Sequence, residues 1–149
     1  MPLASAGPQA TVTAAVAQTK AAIVAALGTV RAQFGDATRP YRPAESGRLR
    51  SAARAVYQIT LPDQPDAGFI VVYEFPTPGA AVDAGNEEAG YLGSGEGRVQ
   101  FPPGTEHVLR ALGTTLILYS WLPAASSDST AANVATALGA LGIGFAVPR

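Results

Sequence analysis

Thr105 to Pro123, TEHVLRALGTTLILYSWLP, decides the fold of this chain. Two apolar-rich runs meet at Gly113-Thr114-Thr115, and the second closes with Tyr119, Trp121 and a stop at Pro123. Glycine supplies the backbone angles a tight turn needs, and β-branched and aromatic residues favour extended chain. The stretch reads as a β-hairpin. Along its first strand, Glu106, Val108 and Arg110 face one way, and His107, Leu109 and Ala111 face the other.

Upstream, Phe69 to Phe75 (FIVVYEF) is almost continuously apolar, the pattern of a central strand covered on both faces. Ala53 to Leu61 alternates Val56, Gln58 and Thr60 with Tyr57, Ile59 and Leu61, which predicts a strand with one apolar face. Short strands are expected at Arg98–Phe101 and, as strand or tail, at Phe145–Val147.

Helical spacing marks the rest. Val12, Val16, Ile23, Leu27, Val30 and Phe34 recur three and four residues apart, predicting a helix from Ala10 to Phe34 that packs on the sheet or forms a dimer seam. Thr77 is placed to cap a second helix over Ala80–Leu92, with Pro78 in its first turn. The glycine-rich Gly93-Ser94-Gly95-Glu96-Gly97 ends that helix; it lacks a P-loop lysine and follows a helix, so phosphate binding does not suit it. A last helix is expected over Ser129–Leu141.

The order is α-β-β-α-β-β-β-α. It predicts an α+β fold of two layers, an antiparallel sheet of four or five strands packed against two or three helices. FIVVYEFPTP and TLILYSWLPAA are each a strand followed by a helix. Two such strand-strand-helix units side by side would form one sheet with helices on one face. Residues 1–9 read as a flexible leader and 10–149 as a single domain.

Composition narrows the function. Of 149 residues 48% are hydrophobic and the net charge is −1, so bulk electrostatics make no case for nucleic acid. The chain has no cysteine and one histidine, which excludes thiolate sites and multi-histidine metal centres. No metal or cofactor is implied. The most apolar stretch, Ala21 to Val30, is too short to cross a membrane. The Ser/Gly/Pro/Ala character of MPLASAGPQA resembles the leader of a mature secreted or lipid-anchored bacterial domain, so an extracytoplasmic location is expected, with a cytoplasmic one as the alternative.

Three candidate sites follow. Tyr73, Phe75, Tyr119 and Trp121 would line one sheet face in a suitable register, as core or, if uncovered, as a groove for a small hydrophobic ligand or a protein partner. Arg39, Arg42, Arg48 and Arg50 form a basic segment that either pairs with the carboxylates downstream or binds an anion. His107 with a carboxylate, Glu74 above all, is the candidate catalytic pair of a small hydrolase or isomerase. The leading expectation is a non-catalytic binding domain. The alternatives are that enzyme and an assembly subunit forming a homodimer through the first helix.

Overall fold

The computed structural model describes residues 13–30, 32–61, 67–125 and 128–148. The expected leader (residues 1–9), Val12 and residues 62–66 of the loop after Leu61 lie outside the described residues. In chain order the elements begin with α1 (Ala14–Ala26), β1 (Phe34–Asp36), α2 (Gly47–Ser51), β2 (Ala53–Ile59) and β3 (Phe69–Glu74). They continue with α3 (Pro78–Gly93), α4 (Gly95–Arg98), β4 (Glu106–Leu112), β5 (Thr115–Trp121), α5 (Thr130–Leu138) and β6 (Ile143–Gly144). The fold is α+β, built on one antiparallel sheet of six strands in the order β1-β2-β3-β5-β4-β6.

The hairpin of β4 and β5 forms as its sequence predicts. Leu112 pairs with Thr115, leaving Gly113-Thr114 as the turn, and Gly113 has φ +60°. A positive φ at the first turn residue matches the twist of the flanking strands, and glycine takes it without a steric penalty. β3 is central, between β2 and β5, and its Ile70, Val71, Val72 and Tyr73 are fully buried. Thr77 caps α3, its hydroxyl accepting from Ala80 N at 3.0 Å, with Pro78 opening the helix.

Alternation along the strands sends two sets of side chains to opposite faces, and helices cover both. On one face Tyr57, Ile59, Ile70, Val72, Ile117 and Tyr119 pack with Ile23 and Leu27 from α1 and its short continuation. Ala131, Val134 and Leu138 of α5 join that face. On the other, Val71, Tyr73, Leu109, Leu116 and Leu118 pack with Ala84, Ala89 and Leu92 of α3 and Leu49 of α2. Burying each large apolar side chain contributes roughly 1.5–3 kcal/mol before entropy is counted. The protein therefore has three layers where two were expected, and α3 and α5 lie on opposite faces, not on one. Two strand-strand-helix units do sit side by side, but their packing does not repeat.

Three local expectations change. α1 ends at Ala26, where Leu27–Thr29 tightens into one 3-10 turn; Gly28 and the β-branched Thr29 and Val30 hold a helix poorly. Phe34 stays against the core as part of edge strand β1, its ring 5.4 Å from that of Tyr57. Arg98–Phe101 is no strand: α4 ends there, and Phe101 N bonds back to Arg98 O at 3.2 Å. Pro102 and Pro103, which follow, have no N–H to give a ladder. The stripe of α1, at Val16, Thr19 and Ile23, is covered within the chain. No helix among the described residues is long and apolar enough to cross a membrane.

Candidate functional site

A cleft of about 880 Å³ opens beside the first residues of β4, within the size range of small-molecule sites. One wall is the turn after α4, with Val99, Phe101, Pro102 and Pro103. Ser94 starts this wall by capping α4, its hydroxyl accepting from Gly97 N at 3.2 Å. Thr105 N then bonds Pro102 O at 3.2 Å and returns the chain to the sheet. The opposite wall is the tail after β6, with Phe145, Val147 and Pro148.

Two close approaches hold the tail on α3. A Cβ added at Gly85 would come within 2.5 Å of the Phe145 ring, and one at Gly93 within 2.8 Å of Pro148. Only glycine leaves room for the tail at these points. Phe145 N also bonds Leu109 O at 3.1 Å, and Arg98 Nη2 donates to Pro148 O at 3.2 Å.

His107 is the polar centre of the cleft. Its Nδ1 lies 2.7 Å from the hydroxyl of Ser120, its cross-strand partner, and the Phe101 ring meets it edge-on at 4.8 Å. Burial lowers its pKa from 6.5, against the opposing pull of Glu106, so the ring is neutral at pH 7. With Nδ1 engaged, Nε2 is the nitrogen left for a ligand. Arg98 and Glu106 are the charged residues of the lining. Ser120 does not line the cleft, so its bond to His107 orients the ring without placing a hydroxyl nucleophile beside a bound molecule.

The register separates the expected aromatic groove. Tyr73 pairs with Leu116 and Ile70 with Tyr119, which puts Tyr73 and Phe75 on the α3 face and Tyr119 and Trp121 on the α5 face. Tyr119 is buried and donates to Ala131 O at 3.1 Å; Trp121 and Phe75 are partly buried against their own cores. His107 and Glu74 are also apart. They occupy opposite faces, and Glu74 pairs with Thr115 beside the hairpin turn while His107 pairs with Ser120 near the far end. Glu74 accepts instead from the Thr13 hydroxyl at 3.0 Å.

The arginines of the basic segment largely meet partners. Arg42 Nε bonds Glu45 at 2.9 Å and Arg48 Nε bonds Glu87 at 2.7 Å. Arg39 lies over the Phe69 ring at 6.0 Å, and Arg50 is exposed. Arg42 and Arg48 are thus matched by carboxylates, which weakens the field the segment presents to an anion.

Beneath this segment lies a buried polar cluster. Glu45 accepts from Arg54 Nη1 and, at 2.5 Å, from the Tyr73 hydroxyl, while Arg54 Nη2 donates to Leu49 O at 2.8 Å. Desolvation, then Glu45, pushes the Tyr73 phenol well above its ordinary range. Arg54 Nε, Ser46 Oγ and Glu88 Oε2 are buried without a hydrogen-bond partner.

Sequence reasoning singled out His107 but missed Phe101 and Phe145. Their signal was available: each sits in a short non-periodic stretch that contains proline, FPPG and FAVP. Apolar side chains outside a regular pattern still have to cover something. No family model matches this chain, and no curated protein or solved structure matches it either.

Proposed function

We propose that this protein is a non-catalytic binding domain that holds a small, mainly apolar ligand in the cleft between the Arg98–Thr105 turn and the tail at residues 145–148. The observation that carries the reading is the cleft itself, lined mainly by apolar side chains, with His107 as a fixed polar point. Concave apolar sites with a few placed polar groups are the usual form of small-ligand sites. The site moves from the four aromatics to the cleft, while the class of ligand stays as the sequence suggested. A bacterial, extracytoplasmic setting belongs to the same proposal, supported by composition and tested by fractionating cells that express the native gene.

The test is a fragment screen followed by amide chemical shifts. Binding should move signals clustered at Phe101, His107 and Val147. Ala146→Trp, which places a large ring on the cleft lining, should abolish those shifts. Shifts scattered over the surface, or unchanged in Ala146→Trp, would overturn the reading.

A further inference from the structure

We infer that the cleft selects an uncharged, ring-bearing molecule with a single hydroxyl or amide-like group held by His107 Nε2; this rests on the reading that the cleft is the ligand site. Three observations converge on it. The first is charge. Arg98 and Glu106 line the same cleft with opposite signs, so their charges offset one another there and neither sign of ligand charge is singled out. An ion would also give up hydration in a partly closed site, where Coulomb interactions are stronger than in water.

The second is the state of His107. Its Nδ1 is tied to the Ser120 hydroxyl at 2.7 Å. A hydroxyl can rotate to donate or to accept, so Ser120 stabilises either neutral tautomer of the ring. Nε2 can then offer a lone pair to a donor or an N–H to an acceptor. A group able to do both, as a hydroxyl or an amide is, suits such a partner whichever tautomer is present.

The third is the shape of the apolar lining. Phe101 and Phe145 present aromatic rings, and Pro102, Pro103 and Pro148 present saturated ones. Flat rings pack against such walls with little loss of rotamer freedom on either side.

Naphthol, naphthoate and naphthylmethylammonium share one ring system and differ in charge, so they separate the possibilities. Calorimetric titration at about pH 7, where His107 is neutral, should find naphthol binding at least about tenfold tighter than either ion. His107→Phe, folded by its amide spectrum, should weaken naphthol roughly fivefold or more and leave the ions unchanged. Ala146→Trp should abolish binding of all three. If either ion binds as tightly as naphthol and Ala146→Trp still abolishes binding, the ligand class is wrong and the cleft reading survives. If none of the three binds, or Ala146→Trp changes nothing, both fail. The comparison on the unmodified protein decides the class even if His107→Phe does not fold.

Discussion

Ser46 donates its backbone N–H to Glu88 Oε1 at 2.8 Å, joining residues 42 positions apart in a fully buried contact. The bond latches the segment before α2 onto α3. Glu88 is fully buried, its second oxygen has no partner, and desolvation raises its pKa from 4.5 to about 7. The Ser46 N–H pulls the other way, while Glu45 and Glu87 add to the rise.

Stability should therefore carry a pH dependence traceable to Glu88. The folded state holds a proton that the unfolded chain releases, so the contribution is fully present below pH 4.5 and is lost as pH rises through about 7. The whole effect is about 3 kcal/mol at most. Glu88→Gln keeps the size and loses the titration. Urea midpoints measured across that range should fall with pH more steeply for the natural protein than for the variant; parallel curves would refute this.

Arg54 is fully buried, and Glu45 beside it nearly so. Arg54→Met leaves the Glu45 carboxylate inside the protein with only Tyr73 and the exposed Arg42, and should lower stability by about 3–5 kcal/mol. The double variant Arg54→Met, Glu45→Gln should lose at least about 1 kcal/mol less than the sum of the two single losses. Strict additivity in urea unfolding would show that the pair is not coupled.

Gly113→Ala puts a Cβ on a residue with φ +60° and should destabilise the protein by about 1–2 kcal/mol. Gly28→Ala is the control. Nothing lies within 4 Å of its added Cβ and its φ is not positive, so its thermal midpoint should hold or rise slightly. Equal losses in the two variants would remove the turn from the explanation.

His107 is the only histidine, so its ring signals need no assignment. Its NMR titration midpoint should fall below 6.5, because burial opposes the charged form more than Glu106 favours it. The linked stability is present above pH 6.5 and lost as pH falls through the folded value, opposite in sign to the Glu88 effect. A midpoint at or above 6.5 would mean that the ring is not held in the cleft wall as described.

Periodicity is a local property, and whatever depends on it alone was legible in the chain. The β4–β5 hairpin, the central position of β3 and the Thr77-Pro78 start of α3 were all read from spacing and turn chemistry. So was the alternation that sets His107 with Leu109 and Ala111. These follow from backbone geometry within a few residues.

What lies between elements was not legible. Tyr73 and Tyr119 each alternate correctly along their own strands, but the pairing of Tyr73 with Leu116 decides whether they share a face, and it puts them on opposite ones. A shift of one residue would have reversed that result, and neither strand records it. The latch of Glu88 on Ser46 and the cleft between the turn after α4 and the tail after β6 likewise depend on segments far apart in sequence. The amino-acid pattern by itself determined which stretches are strands and helices and which side of each is apolar. Register and the packing of loops onto α3 decided which polar groups are buried and where a ligand fits, because those contacts form only when distant segments meet.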